Sequence, residues 1–203
     1  KDVIVIGGGD TGADCVATAI RQKCKSVYQF GKHPVLPNGR TEETQWPLDP
    51  NIFTLDYSYA EVNDVKGYDP REYCIQTKKI VKDENGHVKE LHTIQMAKVQ
   101  DEKGVSHFEE LPGTERIWPA QHVFVAIGFE GVEKSLPTQF DIEVKYNRIQ
   151  ASMQNFQTNV PGVFTAGDAR RGQSLVVWAI KEGREVAASV HQYLQVKKEK
   201  VAL

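Results

Sequence analysis

The run Asp2-Val3-Ile4-Val5-Ile6 leads directly into Gly7-Gly8-Gly9-Asp10-Thr11-Gly12, and this junction constrains the fold more than any other feature of the chain. A β-branched run stopped by glycine suits a strand buried in a parallel sheet. Gly7, Gly9 and Gly12 satisfy the spacing G-x-G-x-x-G. Ala13–Arg21 follows, Ala-rich with Val16 and Ile20 at helical spacing, and Ser26–Phe30 reads as a second strand. Strand, glycine turn, helix and strand within about 30 residues is the order of a dinucleotide-binding unit, which is favoured over a merely structural glycine turn. Each glycine has its own reason. Gly7 permits the tight turn out of the strand, Gly9 lets backbone approach a pyrophosphate, and Gly12 lets helix pack closely on strand. The helix start then offers unpaired N–H groups to phosphate. Asp10 is read as a helix cap in preference to a ligand contact, and Thr11 likewise.

The tip of the second strand bears on which dinucleotide fits. An acid there, roughly 20 residues beyond the fingerprint, would bond a ribose 2′-OH. Here the tip is Tyr28-Gln29-Phe30-Gly31-Lys32-His33, with Arg40 in the next loop. Cations suit a 2′-phosphate, so NADPH is expected over NADH; the competing reading makes Lys32 and Arg40 ordinary solvated charges.

Residues 33–72 carry Pro34, Pro37, Pro47, Pro50 and Pro70 and are expected to be irregular, with a short helix around Tyr59–Val65. From Tyr73 to Leu111 the pattern changes. Tyr73–Lys82, His87–Val99 and Val105–Leu111 are separated by Asp83-Glu84-Asn85-Gly86 and Asp101-Glu102-Lys103-Gly104, which predicts a three-stranded antiparallel meander. His87, His92 and His107 lack metal-ligand spacing and read as surface residues. Gln121–Ile127 is expected as another buried strand, with Gly128 allowing a tight turn or close backbone approach at its end. In the last third, a turn and short apolar strand end in Ala166-Gly167-Asp168, and Leu175–Val196 shows helical spacing at Leu175, Ala179, Val186, Val190 and Leu194. Two readings of Asp168 stand level: an acceptor for ligand hydroxyls, or a turn cap.

Composition narrows the function class. The 203 residues hold 25 Lys and Arg against 27 Asp and Glu, and that net charge of −2 argues against a general nucleic-acid binder. No apolar run approaches the roughly 18 residues of a membrane helix. Cys15, Cys24 and Cys74 form no Cys-x-x-Cys, which argues against a disulfide framework, an iron–sulfur ligand set or a dithiol site within this segment and fits a cytoplasmic setting. No nucleophile, acid–base pair or metal site is evident. The sequence starts on Lys1 with a strand at once, without a leader.

Three segments together resemble one family. They are Val3–Cys15 with Thr18-Ala19-Ile20-Arg21-Gln22, the run Asp69-Pro70-Arg71-Glu72-Tyr73, and above all Ala166-Gly167-Asp168-Ala169-Arg170-Arg171-Gly172-Gln173-Ser174-Leu175-Val176-Val177-Trp178-Ala179-Ile180. The chain resembles small (beta) subunits of NADPH-dependent glutamate synthase, within the wider class of two-dinucleotide flavoprotein oxidoreductases. The resemblance implies an α/β fold: a Rossmann-like NAD(P)-binding domain over 1–125, with parallel sheet and antiparallel meander, then the C-terminal part of an FAD-binding domain over 126–203. It assigns Gly7, Gly9, Asp10, Thr11 and Gly12 to the NADPH pyrophosphate, Gly167 and Asp168 to FAD, and the helix start Gln173, Ser174, Leu175 and Val176 to the flavin edge. Ala126–Phe129, with Gly128, resembles the crossover between domains. The implied chemistry is hydride transfer from NADPH to FAD, with electrons leaving through 4Fe-4S clusters to a large glutamate synthase subunit that makes glutamate from glutamine and 2-oxoglutarate. The first FAD fingerprint and the cluster cysteines are absent from these 203 residues, so a segment of a longer protein is expected, inactive by itself, its FAD site incomplete. Relatives feeding pyrimidine reduction or ferredoxin–NADP transhydrogenation, and a non-catalytic nucleotide-binding module, are the alternative readings.

Overall fold

A computed structural model describes residues 1–48, 52–101 and 104–201. Pro50, the pair Glu102-Lys103 and the terminal Leu203 lie outside the described residues. The chain divides into two compact units, Lys1–Gly128 and Phe129–Leu203.

The first unit opens with β1 (Asp2–Ile6), α1 (Asp10–Arg21) and β2 (Ser26–Phe30), as its glycine and apolar pattern predicts. A single 3-10 turn (Glu42–Thr44), α2 (Tyr57–Lys66) and β3 (Arg71–Glu72) follow, then β4 (Ile75–Lys82), β5 (Val88–Gln100), β6 (Ser106–Glu110), β7 (Arg116–Pro119) and β8 (His122–Val125). β3, β2, β1 and β8 form a parallel sheet in that order. The antiparallel meander is present, with one strand more than expected. β5 is long enough to pair β6 through residues 96–100 and β7 through residues 90–93, while β4 runs along residues 88–95.

The β-branched character of β1 has a direct packing cause. Val3 and Val5 share one core with Val16 and Ile20 of α1, Val27 of β2 and Val62 of α2. Ile4 points the other way, into a second core with Phe30 of β2, Leu91 and Trp118 of the antiparallel strands, and Ala120. A strand covered on both faces has no solvent side, so it reads as a continuous apolar run. Fully burying one such side chain contributes about 1.5–3 kcal/mol. Trp118 joins the layers: its ring lies 4.9 Å from both Tyr28 and Phe30, and its indole N–H donates to Thr93 Oγ1 at 2.8 Å.

The second unit contains α3 (Ser135–Gln139), the two-stranded ribbon β9 (Val144–Lys145) and β10 (Arg148–Ile149), α4 (Asp168–Arg171) and the long α5 (Val176–Val201). No helix among the described residues is long and apolar enough to cross a membrane.

Three expectations need correction. Helix α1 begins at Asp10 rather than Ala13, and Gly9 holds the cap position with no side-chain cap bond, so Asp10 does not cap it. The strand near Gln121–Ile127 is not buried: β8 is a sheet edge, and Val125 and Ile127 are 65% and 73% exposed. The apolar strand before Gly167 reduces to one isolated bridge, Gln157 to Phe164, because this stretch finds no ladder partner. The helical spacing over α5 is present, with Leu175 and Leu194 exposed and the acid Glu182 buried.

Candidate functional site

The C-terminal ends of β1, β2 and β8 and the start of α1 meet at one edge of the parallel sheet. The three fingerprint glycines have three different environments there. Gly7 has φ +126°, and a Cβ on it would fall 2.0 Å from the Ala126 carbonyl oxygen. A Cβ on Gly12 would fall 2.4 Å from Gln29 Nε2 and 2.5 Å from the Gly7 carbonyl oxygen. Gln29 fills that space and donates to this carbonyl at 2.6 Å. Around Gly9 a Cβ would meet nothing within 4 Å. Gly7 and Gly12 are thus glycine because protein is there, and Gly9 faces open space.

That open space belongs to a groove of about 740 Å³ lined by Gly7–Gly9, Lys32, Tyr73, Ile75 and Ala126–Gly128. A second groove of about 300 Å³ lies on the α2 side, lined by Gly9, Asp10, Gly31, Phe53, Tyr59, Arg71 and Glu72. The N–H groups of Asp10, Thr11 and Gly12 donate to no described backbone acceptor, so the first turn of α1 keeps its donors. Unspent donors, an open Gly9 and a flanking cation together fit the diphosphate of a dinucleotide.

Charged residues near the grooves divide into spent and unspent. Lys32 is exposed and lines the larger groove, without an ion pair or hydrogen bond among the described residues. Arg40 donates to the Thr44 and Leu48 carbonyls, both at 2.8 Å, and lines neither groove. Its charge shapes its own loop. Thr11 lines neither groove; it borders a different hollow, with Cys15 and Phe124 among the lining residues. Gly128, with φ +100°, follows β8 by three residues and lines the larger groove.

Arg71 was not singled out by itself in the sequence, yet it builds the smaller groove. Its guanidinium forks onto Asp69 at 2.9 and 2.7 Å, donates to the Thr54 carbonyl at 2.9 Å, and lies 4.3 Å from the ring centres of both Phe53 and Tyr59. It thereby pins the end of the long loop to the sheet. Burial pushes the Asp69 carboxyl up, but the bonds from Arg71 outweigh that and hold it below the usual carboxylate range. The Asp-x-Arg spacing at 69 and 71 was the available signal.

In the second unit, Gly167 has φ +61° and ψ −142°, a combination essentially restricted to glycine. Asp168 follows, exposed, its carboxylate bonded to no described residue. It caps nothing, which leaves it available to ligand hydroxyls. Gln173, Ser174, Leu175 and Val176 form an exposed run at the start of α5. Below the turn lies Glu182, 1% exposed, accepting from Gly167 N at 2.9 Å and bonded to Arg170 and Arg171. Sequence reading missed it. The signal was a lone acid on an apolar helix face, three residues after Ala179 and four before Val186.

Among the described residues no cluster of His, Cys, Asp and Glu could hold a metal ion, and Cys15, Cys24 and Cys74 are free.

Comparison with known proteins adds to this geometry. Residues 77–183 match the family model described as pyridine nucleotide-disulphide oxidoreductase. The chain is 64% identical over 194 residues to the glutamate synthase (NADPH) small chain of Bacillus subtilis, an alignment covering 96% of this chain and 39% of that protein. It is 41% identical over 198 residues to the glutamate synthase (NADH) of Schizosaccharomyces pombe, covering 97% of this chain and 9% of that one. The chain therefore spans about two fifths or less of these relatives. Among solved structures, thioredoxin reductase of T. acidophilum superposes with a TM-score of 0.63 at 20% identity, over 97% of this chain and 53% of that one, a likeness of fold.

Proposed function

The chain belongs to the pyridine nucleotide-disulphide oxidoreductase family, and on that premise we propose that it supplies the NADPH-binding unit and an FAD-contacting segment of a glutamate synthase small subunit. The bound cofactors would supply hydride transfer from NADPH to FAD, with electrons passing through 4Fe-4S clusters elsewhere in the protein to a large subunit that makes glutamate from glutamine and 2-oxoglutarate. The residues of this chain bind and orient. The carrying observation is the contrast among the glycines, with Gly7 and Gly12 closed by protein and Gly9 open beside unspent N–H groups. That pattern leaves room for a diphosphate at Gly9 and the start of α1. In the second unit, Gly167 and Asp168 fit a flavin polyol, with a glycine turn that presents a carboxylate to hydroxyl donors. The free cysteines suit a cytoplasmic setting.

Lys32 is the cation we assign to the 2′-phosphate. Arg40, expected to share that role, is spent on carbonyls and is assigned none. Substituting Lys32→Ala should weaken NADPH by about tenfold while leaving NADH nearly unchanged, as measured by calorimetry. Arg40→Ala should leave the ratio of the two affinities where it was. Equal affinity of the unsubstituted protein for both nucleotides would remove the NADPH preference.

One observation favours a second reading. Glu72 pairs in register with Phe30 at the tip of β2 and lines the smaller groove. A carboxylate there suits a ribose diol and hence NADH, the nucleotide named for the Schizosaccharomyces pombe relative. On that reading Glu72→Gln weakens NADH and spares NADPH.

A further inference from the structure

The turn that presents Asp168 is held from beneath by one buried acid. Glu182 Oε2 accepts Gly167 N–H at 2.9 Å and Arg170 Nε at 3.1 Å. Its Oε1 accepts Arg170 Nη2, and Arg171 Nε at 2.8 Å. Both arginines are backed by rings: Arg170 lies 5.2 Å from the Phe156 ring centre and Arg171 4.4 Å from that of Trp178. The donors on the inner side of the turn therefore converge on one carboxylate. Glycine adopts the backbone of Gly167 freely because it has no Cβ, and the bond to Glu182, 15 residues away, selects this one conformation for the turn. Asp168, the next residue, is left without a partner on the outer side.

We propose that Glu182 is a positioning residue for the flavin: by drawing Gly167 N–H, Arg170 and Arg171 inward, it turns the Asp168 carboxylate outward as an acceptor for the polyol hydroxyls. This rests on the reading of Gly167 and Asp168 as flavin contacts. Arg170 foremost, then the Gly167 N–H and Arg171, outweigh burial and hold the Glu182 carboxyl at about 2, so it remains an acceptor throughout the neutral range.

The test uses the full-length protein stripped of flavin, with FAD affinity read from quenching of flavin fluorescence at a temperature where circular dichroism shows each variant folded. Glu182→Gln should weaken FAD by about tenfold or more, because it removes a charged acceptor. Glu182→Asp should recover part of that loss. Asp168→Ala should weaken FAD by a similar factor, and the double variant Asp168→Ala with Glu182→Gln should be no weaker than Asp168→Ala alone, since one residue acts through the other. If the losses multiply, or if Glu182→Gln binds FAD like the unsubstituted protein, the positioning role is overturned. Unchanged affinity in Asp168→Ala would overturn the flavin reading of the turn, and the positioning role with it. Should Glu182→Gln fail to fold, Arg171→Met removes one donor and leaves the Arg170 fork. A loss that disappears in the Asp168→Ala background supports the role, and a loss that persists there overturns it.

Discussion

Glycines in one motif do different work, and their variants should fail differently. Gly7→Ala sets a side chain at φ +126° against the Ala126 carbonyl, so both the backbone and its neighbour must yield. We expect it to destabilise the first unit by about 1–3 kcal/mol or more, seen as a lower denaturant midpoint. Gly9 has an ordinary φ of −93° and open space around it. Gly9→Val should keep the denaturant midpoint and lose nucleotide affinity. A Gly9→Val protein that binds as well as before would mean that the open space is not where the diphosphate sits. Spacing made all three glycines legible. The fingerprint also assigns the pyrophosphate approach to Gly9; what it does not name are Ala126 and Gln29, the residues that close Gly7 and Gly12.

At the scale of elements, α5 carries a test of pH dependence. The Glu182 carboxyl is lowered from an ordinary value near 4.5 to about 2. Between those values the unfolded chain binds more protons than the folded one. The stability this group contributes is therefore fully present above pH 4.5 and is lost as pH falls towards 2. The shift corresponds to on the order of 3 kcal/mol. Urea midpoints followed by tryptophan fluorescence should fall through this window, and more shallowly in Glu182→Gln. Parallel curves for the two proteins would place the acid sensitivity elsewhere. The sequence pattern located α5 and its apolar spacing, while the structure leaves Leu175 and Leu194 exposed and buries Glu182. Helical periodicity marks which residues share a face, and the neighbouring elements determine whether that face is buried. The same limit explains β8, whose apolar run resembles that of β1 while its sheet position is an edge.

For the molecule as a whole, the division into two units leaves a definite surface chemistry. In the second unit Leu175, Val176, Val177, Trp178 and Ile180 are each 40% exposed or more in one short run. Runs of this kind mark association surfaces in the isolated state. The 203-residue chain by itself is expected to self-associate, detectable as a mass in light scattering that rises with concentration. Val176→Lys with Val177→Glu should reduce that rise. A chain that stays monomeric at high concentration would show that the run does not drive association.

Sequence alone determined the features governed by a residue's own backbone or its near neighbours. These are the strand–glycine–helix junction at 2–21, the turn at 83–86 between the first two meander strands, and the helical period of α5. The physical reason is that a positive φ, a tight turn or a repeating apolar face is written within a few consecutive residues. Tertiary structure decided which charges remain free. Lys32 stays open, while Arg40, Arg71 and Glu182 are consumed by partners up to 17 residues away. It also supplied Ala126 and Gln29, the neighbours that close Gly7 and Gly12. A side chain's availability is set by which long-range partners reach it, and chain spacing does not encode that.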